Sequence, residues 1–198
     1  MKLDFEKGSG LVPAIVQHAK TGQVLMLGYM NEEAVKTTQE QGRVTFYSRS
    51  RQTMWTKGET SGNWLDLISM QSDCDYDTIL VKAIPRGPTC HLGNTSCFGD
   101  TGPEGIGFLV HLSDVIEGRK SADPNSSYTA KLLQGPLTKA AQKVGEEGVE
   151  TALAAAAQDK QDVINESADL LYHLLVLLAA RNIDLEDVLT ELQSRHGE

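Results

Sequence analysis

Residues 99–107 read GDTGPEGIG, and the hydrophobic pattern of the chain changes across this turn-rich stretch. Before it, short apolar and β-branched runs are separated by Gly, Asn and Pro, which is typical of strands joined by turns. After it, apolar residues recur at helical spacing. The pattern predicts a multidomain chain of α and β structure, in which a β-rich N-terminal domain precedes an all-α domain. We place these domains at residues 1–110 and 111–198.

The strand-type runs of the first part are LVPAIVQ, VLMLGYM, RVTFYSRS, WLDLISMQS and TILVKAIP. One short helix is predicted within NEEAVKTTQEQG. Asn31 can cap its N-terminus, and Gly42 can close it.

The second part contains several helix-start signals. Asp114 is predicted to cap a short helix, and Ser126 or Ser127 the next one. Pro136 begins a further helix, where its missing N–H costs little, and Asp184 caps the last. The longest helical candidate is KQDVINESADLLYHLLVLLAARN. Its predicted apolar stripe is Leu170, Leu171, Leu174, Leu175 and Leu178.

Composition limits the classes of function. The net charge is −9, from 18 Lys and Arg against 27 Asp and Glu, so the basic excess of a nucleic-acid binder is absent. No uninterrupted apolar run reaches the roughly 20 residues that cross a bilayer, and the first residues lack the apolar centre of a signal peptide. We therefore expect a cytoplasmic protein with no membrane partner. An acidic chain that handles an anionic ligand needs local cations or bound metal.

All three cysteines lie in the segment SDCDYDTILVKAIPRGPTCHLGNTSC, residues 72–97. In a cytoplasmic chain, an odd set of thiols favours metal binding or catalysis over disulfides. Cys74, Cys90 and Cys97 form a soft ligand set that suits zinc, and three ligands with an open fourth position describe a catalytic site. His91 could complete a structural site or carry protons. The alternative is that the cysteines are ordinary buried residues.

Three aspartates alternate around the first of these cysteines. If DCDYD is extended, Asp73, Asp75 and Asp77 share one face and Cys74 points to the other. Like charges on one face repel unless a cation lies among them, and carboxylate oxygens suit magnesium. Alternation also separates this magnesium from the zinc, so zinc ligands contributed across a dimer interface are a hypothesis. The alternative is a solvated acidic turn.

Residues 48–63, SRSRQTMWTKGETSGN, combine cations with Ser, Thr and Gly. Arg49, Arg51 and Lys57 could hold phosphate together with backbone N–H groups. An ordinary polar hairpin would have the same composition.

Carboxylates also recur at helical spacing in the second part. Glu146, Glu147 and Glu150 lie near one face in GEEGVE, and Glu166 and Asp169 are three residues apart in ESAD. Like charges at these spacings destabilise a helix by about 0.2–0.5 kcal/mol per pair. Antiparallel packing of the two helices would gather the carboxylates around Mg²⁺. A solvated acidic face is the alternative.

Three lysines precede or accompany the first carboxylate motif. Lys131, Lys139 and Lys143 could contact phosphate, or they could be surface residues that only solubilise the helices.

These motifs together carry a family resemblance. WTKGETSGN, DCDYD and PTCHLGNTSC resemble the signature of phosphoribosyl-AMP cyclohydrolase, whereas KVGEEGVE with ESADLLYHLLVLL is similar to phosphoribosyl-ATP pyrophosphatase. In this order they resemble the bifunctional family of histidine biosynthesis. The resemblance implies that the C-terminal domain hydrolyses phosphoribosyl-ATP to phosphoribosyl-AMP and pyrophosphate. The N-terminal domain then opens the adenine ring between N1 and C6 with water activated by zinc.

The resemblance also implies roles for single residues. Zn²⁺ is expected in the cyclohydrolase domain, Mg²⁺ in both domains, and a homodimer as the assembly. Zinc would be bound by the three cysteines, and magnesium by the Asp triplet and by the helical carboxylates. We take His91 and Glu147 as catalytic residues. The expected substrate-binding residues are Arg49, Arg51, Trp55, Lys57, Gly58, Glu59, Thr60, Ser61, Lys131 and Lys143.

Two competing functions fit parts of the same pattern. One is a zinc deaminase fused to a pyrophosphatase, although the deaminase pattern HxE…PCxxC is absent. The other is a non-catalytic, zinc-stabilised module with a helical dimerisation domain. Ammonia release identifies the first, and unfolding on loss of one cysteine identifies the second.

Overall fold

This computed structural model describes residues 1–99 and 101–197. Its first part contains a four-stranded sheet. Its spatial order is β2-β1-β6-β5, in which β1 and β6 are parallel and both outer pairs are antiparallel. A separate antiparallel pair is formed by β3 and β4. The strands are β1 (Val12–His18), β2 (Val24–Met30), β3 (Thr45–Ser48), β4 (Thr53–Thr56), β5 (Leu65–Ser72) and β6 (Ile79–Pro85).

Alternation along the two central strands builds the core of this part. Val12, Ala14 and Val16 of β1 are fully buried, and the residues between them are less so. The β1–β6 register pairs Ala14 with Ile79 and Val16 with Val81, so both strands present their apolar residues to the same face. Phe46 of β3 joins this core.

Helix α1 (Glu32–Gln41) confirms the predicted caps. The Asn31 side chain accepts a hydrogen bond of 2.8 Å from the backbone N–H of Ala34. Gly42 ends the helix with φ at 66°, in the left-handed region that glycine adopts without strain.

Each of the five predicted strand runs contains a strand, but β4 was missed. Its sequence, TMWT, lies inside the polar segment 48–63 and is too short to show an alternating pattern. It pairs with the neighbouring strand β3, in which Phe46 lies opposite Trp55 with their ring centroids 5.1 Å apart. The first half of the polar segment is therefore a hairpin.

Helices make up the rest of the described chain: α2 (Ile106–Gly118), a 3₁₀ turn (Arg119–Ser121), α3 (Tyr128–Gln134), α4 (Leu137–Ala157), α5 (Lys160–Ala180) and α6 (Leu185–His196). Only two residues join α4 to α5, so the two helices form an antiparallel hairpin. The apolar cluster of this part contains Ile116, Leu132, Leu175, Val176 and Ala179.

The helix-start predictions have mixed outcomes. Ser127 caps α3 and Asp184 caps α6, both as predicted, and Pro136 immediately precedes α4. The prediction for Asp114 is wrong, because α2 begins eight residues earlier and contains it. The turn-rich stretch ends inside this helix, so the apolar residues of GIGFLV, and not the acidic residue, begin it.

The predicted apolar stripe of α5 is only partly correct. Leu175 is buried in the core, whereas Leu171 is 44% and Leu174 is 36% exposed. Almost every residue of LLYHLLVLLAA is apolar, so periodicity could not select the face that packs against the protein. Asp169, on the same helix, is exposed.

Contacts divide the chain into two compact units, Met1–Phe108 and Leu109–Glu198. The division falls within α2, and the domain boundary after residue 110 stays a prediction. By length and composition alone, α5 is the one described helix that could cross a bilayer, although charged residues interrupt its apolar run. The core helices of globular proteins can have the same length and composition.

Candidate active sites

The aspartate triplet lies in the tight turn between β5 and β6. The segment is not extended, as the alternation argument assumed: Tyr76 has φ at 66°, and Asp73 Oδ1 accepts hydrogen bonds from the backbone N–H groups of Asp77 (3.0 Å) and Thr78 (3.1 Å). The turn nevertheless gathers Asp73, Asp75 and Asp77, with one carboxylate oxygen of each within 4.8 Å of the others. Three converging oxygens fit the preference of Mg²⁺.

A lysine from the N-terminal segment already places positive charge on this triplet. The Lys7 ammonium donates to Asp75 Oδ2 at 2.8 Å, to the Asp75 carbonyl oxygen at 3.0 Å and to Asp77 Oδ2 at 3.4 Å. Its hydrogen bond lowers the pKa of the Asp75 carboxyl group, and the same contact raises the pKa of Lys7. The sequence could not reveal this pair, because its members are 68 residues apart.

The cysteines do not gather as one set within the chain. Cys90 and Cys97 line one cavity, whereas Cys74 lies exposed in the aspartate turn. Among the described residues, the three sulfur atoms form no three-ligand group. Burial raises the pKa of the Cys97 thiol, and nearby Cys90 raises it further. His91 lies beside the pair, with Nδ1 4.0 Å from Cys90 Sγ.

The cavity that contains Cys90 and Cys97 has a volume of about 530 Å³. Its wall brings together most of the residues predicted to bind substrate in the first domain. These are Arg51, Trp55, Lys57, Gly58, Glu59, Thr60 and Ser61, and His91 lies with them. Arg49 does not line this cavity, since its guanidinium carbon stacks 3.7 Å above the Tyr29 ring.

The loop after β4 forms one side of the cavity because it folds tightly back on itself. Gly58 has φ at 91°, and a Cβ at this position would lie 2.5 Å from the backbone carbon of Asn63. Glu59 Oε2 accepts a hydrogen bond of 3.1 Å from the backbone N–H of Thr56. Asn63, Met26 and Thr89 also line the cavity and were missed, because the fold brings them together from three segments: the loop after β4, strand β2 and the loop after β6.

In the helical unit, the buried carboxylate is that of Glu147, which is 6% exposed. Glu147 and Glu150 of α4 lie close to Glu166 of α5, with one carboxylate oxygen of each within 4.8 Å of the others. The charge of Glu147 raises the pKa of Glu150, and desolvation raises it further. Three carboxylates that repel one another in this way fit a divalent cation.

The other two predicted carboxylates lie outside this group of three. Glu146 Oε2 accepts from Lys143 at 2.9 Å and its Oε1 from Gln142 at 2.6 Å, and the Lys143 contact lowers its pKa. Asp169 is exposed. Spacing on a helix could not separate these residues from the cluster, because i,i+3 and i,i+4 neighbours all share one face.

The lysines have different surroundings. Lys143 lies between Glu146 and Glu147, with Nζ 3.0 Å from Glu147 Oε1, and its pKa is strongly raised by the two carboxylates. Lys139 donates to Gln142 at 3.3 Å. Lys131 lies exposed on α3.

Comparisons with known proteins match the two units separately. A family model described as phosphoribosyl-AMP cyclohydrolase matches residues 26–99, and one described as phosphoribosyl-ATP pyrophosphohydrolase matches residues 109–196. The chain is 57% identical over 195 residues to the histidine biosynthesis bifunctional protein HisIE of Escherichia coli strain K12, which covers 98% of this chain and 96% of that protein. The proteins of the same name from Salmonella typhimurium and Yersinia pestis are 56% and 53% identical over the same length, covering 96% and 95% of those proteins. The chain therefore belongs to the bifunctional family that joins a phosphoribosyl-AMP cyclohydrolase to a phosphoribosyl-ATP pyrophosphohydrolase.

Proposed function

We propose that this chain performs two consecutive hydrolyses of histidine biosynthesis at two separate sites. The helical unit converts phosphoribosyl-ATP to phosphoribosyl-AMP and pyrophosphate, and the β-rich unit opens the adenine ring of the product. One observation carries the proposal: the cysteine cavity lies within the residues matched to the cyclohydrolase, and the three-glutamate group lies within those matched to the pyrophosphohydrolase. We assign the activities to residues 1–110 and 111–198.

In the helical unit, we assign metal binding to Glu147, Glu150 and Glu166, with Glu146 and Asp169 as outer carboxylates. Magnesium held by these residues would neutralise charge on the triphosphate and favour attack by water. Glu147 is the candidate catalytic residue because it is the most buried carboxylate of the group. We assign phosphate contact to Lys143, whose ammonium has three N–H donors and also pairs with Glu147, and to Lys131.

In the β-rich unit, we assign zinc binding to Cys90 and Cys97 together with Cys74. Zinc held by these residues would lower the pKa of water to about 7 and so supply a nucleophile for purine C6. His91 is positioned beside Cys90 to pass a proton to N1 as the N1–C6 bond breaks. We assign stacking on the purine to Trp55, and phosphate binding to the cations and hydroxyl groups of the cavity wall, Arg51, Lys57, Thr60 and Ser61.

The separation of Cys74 from the other two thiols supports a zinc site shared between two copies of the chain. Within one copy, Cys74 lies in the aspartate turn and outside the cavity. A structural or catalytic zinc site needs at least three protein ligands. We infer that Cys74 of a second copy completes the set, and that the Asp triplet, which would bind Mg²⁺, enters the neighbouring copy's site with it.

The apolar surface of the helical unit supports the same homodimer. Val149 and Leu153 are 60% and 58% exposed at i,i+4 spacing on α4. On α5, Ile164, Leu171 and Leu174 are at least 36% exposed at helical spacing. Exposed apolar patches mark protein–protein interaction sites, and a second copy would present the same face. We therefore infer an isologous helical interface.

We assign the protein to the cytoplasm, with small-molecule substrates and without nucleic-acid or membrane partners. The net charge of −9 opposes nucleic-acid binding. Helix α5 carries Glu166 and Asp169 and contributes Leu175 to the core, which favours a core helix over a membrane span.

The decisive experiment is incubation of the intact protein with phosphoribosyl-ATP, with and without a zinc chelator. We expect pyrophosphate in both reactions, and accumulation of phosphoribosyl-AMP only with the chelator. Release of ammonia in the untreated reaction would instead identify a deaminase. If phosphoribosyl-ATP is not consumed in the presence of Mg²⁺, the proposed function of the helical unit is wrong.

A further inference from the structure

His173 is a polar residue in the most apolar stretch of the described chain. It lies in α5 within LLYHLLVLL and is 6% exposed. Its ring is held edge-on by two tyrosines, with centroid distances of 5.0 Å to Tyr172 and 6.1 Å to Tyr128. Tyr172 is itself tied to α3, because its hydroxyl group lies 2.7 Å from Thr129 Oγ1. The imidazole therefore has a fixed place between α3 and α4.

The imidazole approaches the buried glutamate of the carboxylate group. His173 Nε2 lies 3.7 Å from Glu147 Oε1, and Lys143 Nζ lies 3.0 Å from the same oxygen. Two donors thus converge on Oε1 from different helices. A small rotation of the carboxylate towards His173 would close the longer contact to a hydrogen bond.

Stability alone does not explain a histidine at this position. His173 Nδ1 is buried and has no hydrogen-bond partner among the described residues. Burying an unpaired polar atom costs free energy, and a leucine at this position would avoid that cost. A neutral imidazole carries one N–H. With Nδ1 unpaired, the position towards Glu147 is where that N–H gains a partner.

We propose that His173 is a positioning residue for the pyrophosphohydrolase site: its Nε2–H, together with Lys143, holds Oε1 of Glu147, so that the other oxygen of this carboxylate is presented to the group formed with Glu150 and Glu166. The inference rests on the proposed metal-binding role of Glu147. Outer partners that orient a metal-binding carboxylate typically change metal affinity or activity by about 10- to 100-fold when removed.

The test is a titration of the intact protein with Mn²⁺, a spectroscopic substitute for Mg²⁺, on three variants. His173→Gln keeps an N–H donor near the position of Nε2. His173→Asn places its amide near Nδ1 and cannot reach Glu147, which makes it the matched polar control. Glu147→Gln identifies which Mn²⁺ sites depend on the helical group, because the Asp triplet would also bind the ion.

We expect His173→Asn to weaken the Glu147-dependent Mn²⁺ sites by about 10- to 100-fold and His173→Gln to recover most of the affinity. The Mg²⁺ concentration that half-activates pyrophosphate release should likewise rise most in His173→Asn and less in His173→Gln. Unchanged ring opening of added phosphoribosyl-AMP would show that the first unit is intact in each variant. Wild-type Mn²⁺ affinity in His173→Asn, or equal loss in both variants, would overturn the inference and leave His173 a packing residue. If Glu147→Gln changes neither Mn²⁺ binding nor pyrophosphate release, the proposed function itself fails.

Discussion

Lys7 and Asp75 form an ion pair of 2.8 Å that joins the N-terminal segment to the aspartate turn. The contact is reinforced at the next residue of the turn, where the Tyr76 carbonyl oxygen accepts a 2.7 Å hydrogen bond from the backbone N–H of Asp4. The lysine ammonium therefore stands against the same carboxylates to which we assign Mg²⁺. A cation that binds the Asp triplet must share these oxygens with Lys7 or displace it.

Replacing Lys7 by Gln should raise the affinity of the Asp triplet for divalent cations. Both partners of the pair are substantially exposed, at 42% and 59% of the side chain, so we expect a change of roughly 1.5- to 5-fold. Tb³⁺ luminescence, excited through nearby Tyr76, would measure it. Lys36→Gln, which removes another exposed ion pair, is the control. Lower affinity in Lys7→Gln would mean that the lysine instead shapes the turn for the metal.

Glu147→Gln should separate the two activities. The substitution removes the buried charge of the three-glutamate group and leaves Lys143 paired with Glu146, so we expect pyrophosphate release to fall by at least about 100-fold. Ring opening of added phosphoribosyl-AMP should persist, because the cysteine cavity contains no residue of the helical unit. Glu191→Gln, which removes a surface pair with Arg195, is the control. Loss of both activities would contradict separate sites.

Cys97→Ser should abolish ring opening and weaken zinc binding while the fold survives. Cys97 is exposed, and the core cluster of the β-rich unit contains no cysteine. Thermal unfolding should therefore shift by only a few degrees. Phe46→Ala, in contrast, empties a core position that is 1% exposed and should cost about 3–5 kcal/mol. If Cys97→Ser unfolds the unit as Phe46→Ala does, zinc is a structural element and not a catalytic one.

Magnesium should stabilise the protein more at pH 7.5 than at pH 5. The pKa of Glu150 is raised above its usual 4.5, first by the charge of Glu147. A carboxyl group whose pKa is raised on folding favours the folded state while protonated, and that contribution is lost as the pH rises through the folded pKa. At neutral pH the ionised Glu147 and Glu150 repel each other, and a bound cation would relieve this repulsion. Mg²⁺ should therefore stabilise the protein more at the higher pH.

Thermal unfolding with and without Mg²⁺ at both pH values would measure this dependence. At pH 7.5, Mg²⁺ should raise the unfolding temperature of Glu150→Gln by less than it raises that of the wild type. Glu186→Gln, on α6, should behave as the wild type. An equal Mg²⁺ effect in Glu150→Gln would show that the stabilising ion binds elsewhere.

The sequence predicted the ends of helices and strands well where the signal is local. The Asn31 and Gly42 caps of α1 and the Asp184 cap of α6 follow from hydrogen bonds within a few residues, and they were found as predicted. The run VLMLGYM corresponds to β2 residue for residue. β4 was missed because its four residues, TMWT, are too few to show an alternating pattern, and its pairing with β3 defines it.

The candidate sites show the same division. Sequence alone determined the types of ligand and their local spacing: thiols beside an acidic turn in the first unit, and carboxylates at helical intervals in the second. Only the tertiary structure decided that Cys74 lies apart from Cys90 and Cys97, and that Glu166 rather than Glu146 or Asp169 joins Glu147 and Glu150. The physical reason is that backbone geometry sets the distance between residues a few positions apart. Which side chains meet across a turn or between two helices depends on long-range packing, which no local spacing records.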